Sequence, residues 1–242
     1  MASQQIVFFD LPTKTPCITW SPNPWKTRLL LNFKGIDYRT QWVEYPDIKP
    51  TFEKHIPPNP TGFPYSIPTV LLPDGTYIMD SREIANSIEK QYPQPSLHLD
   101  SNYLTKIESI WSRHMSIVRP LFIPQVPKRL LNEGSLDYWY TTREEMFGMS
   151  LDQLEKEQGG DKIWDETESV IREATELLKE NKGPFFMGEV ISYADLVWTS
   201  ILLFHQRLGP DLFDELLRRS GDSQVHLNLL EAVSPYTKRN DH

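Results

Sequence analysis

A single cysteine, Cys17, among 242 residues excludes an intrachain disulfide and suits a reducing compartment. Basic residues are in the minority. The 25 Lys and Arg face 33 Asp and Glu, a formal charge of −8, so neither nucleic acid nor an anionic membrane surface is expected as a partner. Long apolar runs are missing: the best candidate, Leu196 to Phe204, has Thr199 and Ser200 inside it and falls short of the roughly 18 residues that cross a bilayer. The opening MASQQIVFFDLP has neither a basic start nor an apolar stretch of useful length, so no secretion signal is expected and the protein is expected in the cytoplasm. The histidines at 55, 98, 114, 205, 226 and 242 show no HExxH or other paired spacing, and no metal is expected. Phosphate-binding loops are absent too, since Gly159-Gly160-Asp161-Lys162 lacks the first glycine and the hydroxyl that such a loop needs. There is no GxSxG nucleophile elbow, and Asn59-Pro60-Thr61 carries the proline that forbids N-glycosylation.

What is present is ordinary globular composition, 39% hydrophobic and 24% charged, in a chain long enough for one large or two modest domains. The first hundred residues alternate strand and helix signals. Ile6 to Phe9 reads as a strand, Trp25 to Lys34 as a helix stopped by Gly35, Tyr38 to Val43 as a strand, and Thr51 to His55 as a weak helix. A stiff loop, Pro57 to Pro64, precedes a hairpin with Asp74-Gly75 at its turn, and Asp80-Ser81 opens a helix through Tyr92. After Pro95 the strands stop. Leu104 to Val118, Ile163 to Leu178, Ser192 to Leu208 and Asp211 to Arg219 carry helical periodicity, whereas 133–162 gives no clear assignment. The expected fold is therefore α/β plus all-α, a βαβαββα domain over 1–95 followed by an all-helical domain over 96–242.

This layout resembles the soluble glutathione transferases, and individual motifs support the comparison. Ser21-Pro22-Asn23-Pro24-Trp25-Lys26-Thr27-Arg28 resembles the Ser-Pro-x-x-Trp-Arg-Thr segment of bacterial glutathione-dependent β-aryl etherases. Ile67-Pro68 resembles the cis-proline of the thioredoxin-like fold, Asp80-Ser81 the acidic-Ser pair that receives the γ-glutamyl end of glutathione, and Ser192-Tyr193-Ala194-Asp195 the helix cap of the transferase C-terminal domain. The likeness runs from Ile6 to about Arg219 and is strongest to the fungal-specific class A, etherase-related transferases. It implies an enzyme with glutathione as cosubstrate and no metal.

Each implied role has a physical basis. A glutathione thiol titrates near 8.5, and lowering that by two units takes roughly 2.7 kcal/mol of preferential thiolate stabilisation. A hydroxyl at a helix N-terminus can supply it, which favours Ser21 as donor, with Asn23 assisting through its amide. Aligned instead to plant-type Ser-Pro-Phe-x-x-Arg segments, Asn23 takes the catalytic position. Both residues also suit simple helix capping. The resemblance implies that Ile67 and a cis Pro68 present backbone to the cysteinyl part, that Asp80 and Ser81 hold the γ-glutamyl end, and that Lys49, with Lys54 second, meets the glycyl carboxylate. Ser192 and Asp195 are read as a structural cap, and Cys17, lacking the Cys-Pro-x-Cys/Ser pattern, as an ordinary thiol.

Aromatic residues make up 12% of the chain. Trp25, Tyr45, Trp111, Met115 and Phe122 are expected to line a hydrophobic cosubstrate pocket for flat aromatic molecules, with Trp20, Phe63 and Tyr65 nearby. The expected activity is conjugation or deconjugation of aromatic electrophiles, extending to aryl-ether cleavage. The alternative is a non-catalytic protein that sequesters plant or wood polyphenols. A homodimer is expected from the family, with the Ser81–Tyr92 helix facing the partner's Leu104–Val118 helix.

Overall fold

Five consecutive buried residues, Ile6–Asp10, form β1, the strand on which the N-terminal half is assembled. β1 pairs parallel with Tyr38–Trp42 (β2) and antiparallel with Thr69–Leu71 (β3), which pairs antiparallel with Tyr77–Met79 (β4). The mixed sheet has the order β2-β1-β3-β4, with Phe8 opposite Thr40 on one side and Val70 on the other. Pro22–Phe33 (α1) makes the crossover between the two parallel strands and packs on Ser81–Gln91 (α3). These coordinates are a computed structural model describing residues 5–242; the first four residues of the segment read as lacking a leader lie outside it.

The weak helix expected at 51–55 lies further back. A 3-10 turn, Tyr45–Asp47, leads into Ile48–Phe52 (α2), where Ile48 and Phe52 are buried one turn apart while Glu53, Lys54 and His55 are exposed. The burial stripe, rather than the polar run after it, sets the helix.

The C-terminal half is helical: Asn102–Ile117 (α4), Arg119–Phe122 (α5), Gln125–Arg129 (α6), Glu133–Phe147 (α7), Leu151–Gln158 (α8), Asp161–Lys179 (α9), Tyr193–Leu208 (α10), Pro210–Arg219 (α11) and Ser223–Val233 (α12). The segment 133–162, unassigned from sequence, is thus mostly two helices. Its caps are conventional, with Gly148 at φ 68 closing α7 and the Ser150 hydroxyl accepting the Gln153 N–H at 3.2 Å to open α8. The pattern was hidden because the buried stripe of α7 is Ser135, Trp139 and Arg143, only one of them apolar. α12 was not anticipated at all. Among the described residues no helix is long and apolar enough to cross a membrane.

α10 is buried on nearly every side and packs against α1, α4 and α11. Its start is fixed by Asp195, whose carboxylate accepts from the Ser192 N–H and hydroxyl, both at 2.7 Å, and from the Phe186 N–H at 2.9 Å. Tyr193 donates its hydroxyl to the Ser81 carbonyl at 3.1 Å, tying α10 to the start of α3.

Under the sheet, Asp10 and Arg28 form an ion pair at 2.9 Å with neither side chain exposed. Arg28 also donates to Thr40 Oγ1 at 3.0 Å and to the His242 carbonyl at 3.1 Å, while Asp10 accepts the Leu11 N–H at 2.7 Å. Removing one member leaves the other charge buried without a partner, at a cost of about 3–5 kcal/mol. Arg28→Met is therefore expected to lower unfolding free energy by about that amount in urea titrations, and Asp10→Leu with Arg28→Met to regain much of it.

Candidate functional site

A cleft runs between the C-terminal edge of the sheet and the helical half, and Asn23 stands where three adjoining hollows meet. The inner hollow is lined by Lys26, Asp80, Ser81, Trp111 and Tyr193. The middle one contains Ser21, Tyr45, Ser66, Ile67 and Arg143. The outer one is walled by Trp20, Trp111, Met115, Phe122, Trp139 and Phe204.

At the start of α1 the backbone has little to offer an anion. Pro22 and Pro24 carry no N–H, and the Trp25 N–H is taken by the Ser21 carbonyl at 3.1 Å, so among the described residues the first turn leaves only the Asn23 N–H without a partner. Donation falls to side chains. Ser21 precedes the helix at φ −71 and ψ 140, but its hydroxyl makes no capping bond and has no partner among the described residues. The Asn23 amide oxygen accepts from Lys26 Nζ at 3.0 Å, which leaves the amide NH2 free to donate elsewhere.

Lys26, which the sequence reading passed over, is 8% exposed and sits 3.4 Å above the Trp111 ring. Burial pushes its pKa down to about 7, opposed by Asp80 and Glu108. The signal available in the sequence was its place one turn after Asn23, where the etherase-like segment has arginine.

The Ile67–Pro68 peptide is cis. Among the described residues the Ile67 N–H and carbonyl make no hydrogen bond, so an added strand could pair there. Asp80 adopts φ 80, sparsely populated for a residue with a side chain. Its carboxylate caps α3 by accepting the Arg82 N–H at 2.7 Å, and its own N–H goes to the Pro68 carbonyl at 3.2 Å. Among the described residues the Ser81 hydroxyl has no partner, and Ser81 lines the inner hollow beside Asp80.

Two expected residues are elsewhere. Trp25 is 1% exposed, on the stripe of α1 that includes Leu29, and belongs to the core rather than the cleft. Lys49 is exposed on α2 and lines none of the hollows, whereas its neighbour Ile48 does. Tyr45, Trp111, Met115 and Phe122 do line the cleft. Burial raises the Tyr45 hydroxyl above its ordinary pKa, and Tyr45 packs edge-on to Trp139 at 5.1 Å. Trp20, Trp139, Arg143 and Phe204 complete the walls. Cys17 is largely exposed in the loop before Ser21, with its pKa raised by partial loss of solvent and by Asp10 and Glu44, and lines none of the three hollows.

A thioredoxin-like sheet domain and an all-helical domain meeting across an open cleft define the class of two-domain, thiol-binding transferases. Residues 20–91 match the family model for the glutathione S-transferase N-terminal domain, and residues 107–216 that for the C-terminal domain. The glutathione S-transferase-like protein ustS of Aspergillus flavus is 29% identical over 237 residues, covering 87% of this chain and 83% of that protein. A glutathione S-transferase of Ceriporiopsis subvermispora, crystallised in complex with glutathione, superposes with a TM-score of 0.86 at 30% identity, over 99% of this chain and all of that one. Glutathione transferase GSTFuA2 of Phanerochaete chrysosporium gives 0.86 at 28% identity, again over 99% of this chain and all of that one. The chain belongs to the glutathione S-transferase family, is an enzyme of that family, and takes glutathione as its cosubstrate.

Lys26 has a measurable consequence. Between about pH 7 and 10 it is neutral in the folded protein and protonated in the unfolded chain, so the unfolded state binds more protons and stability rises with pH. The wild type is expected to gain about 1–3 kcal/mol over Lys26→Met between pH 7 and 9, read from urea midpoints at the two pH values.

Proposed function

We propose that the enzyme activates the glutathione thiol with Ser21 and Asn23 and conjugates or deconjugates hydrophobic aromatic electrophiles, aryl ethers among them. The observation that carries this reading is that Asn23, whose amide oxygen is held by Lys26 Nζ at 3.0 Å, lines one hollow together with Ser21 and Ile67. Two donors to a thiolate, each worth about 1.5–3 kcal/mol, cover the roughly 2.7 kcal/mol that a two-unit fall in thiol pKa demands. In this reading the cysteinyl backbone pairs with Ile67 ahead of Pro68, and the γ-glutamyl end lies against Asp80 and Ser81. The aromatic electrophile lies between Trp111, Met115, Phe122 and Tyr45. The sulfur bonds to the ring carbon, the leaving group departs with its electron pair, and the thiol proton passes to solvent.

Absorbance titration of the bound thiol, together with turnover of a halonitrobenzene, tests the assignment. Ser21→Ala and Asn23→Ala are each expected to raise the thiol pKa by about one unit and to lower turnover about ten-fold, with glutathione affinity held within a few-fold. A shift in Asn23→Ala alone would pass the whole role to the asparagine. Tight binding of polyphenols by wild type that turns over no electrophile would assign the sequestering function instead.

We further propose a cytoplasmic protein whose two domains divide near residue 95 and which pairs as a C2 homodimer, α3 of one chain facing α4 of the other. Light scattering at micromolar concentration is expected to give twice the chain mass of 28.3 kDa, and a single-chain mass overturns the pairing.

A further inference from the structure

Three arginines are buried, and two of them have carboxylate partners. Arg28 is paired with Asp10, and Arg219 with Glu215 and Glu168. Arg143 is 6% exposed, and among the described residues it meets no carboxylate. Its one hydrogen bond runs from Nη1 to Thr142 Oγ1 at 2.6 Å. Burial pulls its pKa below the ordinary arginine value, with the Tyr45 and Tyr138 hydroxyls opposing, yet a guanidinium stays charged at neutral pH. A buried cation held this way lacks its anion.

The surroundings show what kind of anion fits. The guanidinium carbon lies 4.0 Å from the Trp139 ring centre, 5.1 Å from Tyr45 and 5.2 Å from Phe63. Rings are packed around the guanidinium, and the N–H groups not bonded to Thr142 are left to donate in a fork that matches a planar carboxylate. Arg143 lines both the middle and the outer hollow, Arg119 stands exposed at the outer rim, and no Asp or Glu lines either hollow, in a chain of net charge −8.

We propose that Arg143 anchors the carboxylate of an acidic aromatic cosubstrate, holding it in the outer hollow with its ring against Trp111 and Phe122. This rests on the aromatic transfer reading above and narrows its substrate class. Of the two carboxylates of glutathione, the γ-glutamyl one is placed against Ser81 above; the glycyl one is the competitor for Arg143, and the test separates it from the cosubstrate's carboxylate.

The test pairs 4-chloro-3,5-dinitrobenzoate with its uncharged amide, each kcat/KM being divided by the uncatalysed rate with glutathione. Wild type is expected to favour the benzoate about ten-fold, and Arg143→Gln to lose that preference. Arg143→Lys, which keeps the charge but not the fork, is expected to retain part of it. The wild-type preference is measured without any variant, so a Gln protein that fails to fold leaves the inference exposed. Equal use of benzoate and amide by wild type overturns the proposal. So does an unchanged ratio in Arg143→Gln accompanied by a raised KM for glutathione, which would give Arg143 to the glycyl end. Failure of wild type to turn over either compound would instead overturn the aromatic transfer reading itself.

Discussion

The buried pair between Asp10 and Arg28 is the interaction on which the cleft depends. Asp10 ends the central strand and Arg28 lies in the first helix, so their 2.9 Å contact sets how far the loop between them can swing. Ser21 and Asn23 sit at the end of that loop. Arg28 reaches further, to Thr40 in β2 and to the carbonyl of His242, while the Thr19 N–H donates to the Asn240 carbonyl at 2.8 Å. One guanidinium therefore gathers two strands, a helix and the segment that returns after α12. A pair this deeply buried contributes less to net stability than to keeping a single arrangement of the groups around it.

The second constraint lies between the halves. Glu44, just after β2, accepts from Asn132 Nδ2 at 2.7 Å and from the Ser135 hydroxyl, which in turn accepts the Tyr45 N–H at 3.0 Å. This docks the first turn of α7 on the sheet domain and carries Trp139 and Arg143 over the cleft. Neither half alone makes the outer hollow: Tyr45 and Phe63 come from one, and Trp139, Phe122 and Phe204 from the other.

Much of this was legible in the sequence. Strand alternation, the Asp74-Gly75 turn and the apolar period of α4, α9 and α10 gave the two-domain layout, because each element writes its burial into residue type. The cis Pro68 and the position of Ser21, Ile67, Asp80 and Ser81 along one cleft could be expected because a loop or cap constrains each residue locally. What stayed hidden depends on partners distant in sequence. Arg143 looks like a solvated charge until Trp139 and Tyr45 are placed around it, and Lys26 like a surface lysine until Trp111 covers it. Trp25 erred the other way: proximity to Ser21 in sequence suggested the cleft, but a helix turns successive side chains through about 100°, and its own faces the core. Lys49 was placed by analogy, and α2 turns it to solvent.

Proline at both positions 22 and 24 removes two backbone donors from the mouth of α1. A main-chain anion site is indifferent to which residues build it and is therefore hard to alter by substitution. On the roles proposed for Ser21 and Asn23, the electronegative guest is held by what positions 21 and 23 happen to encode, on a loop bounded by the prolines and Arg28. The acidity of a bound thiol thus becomes separable from the fold: a single codon change can retune it without rebuilding the scaffold, so reactivity can drift between lineages while the architecture stays put.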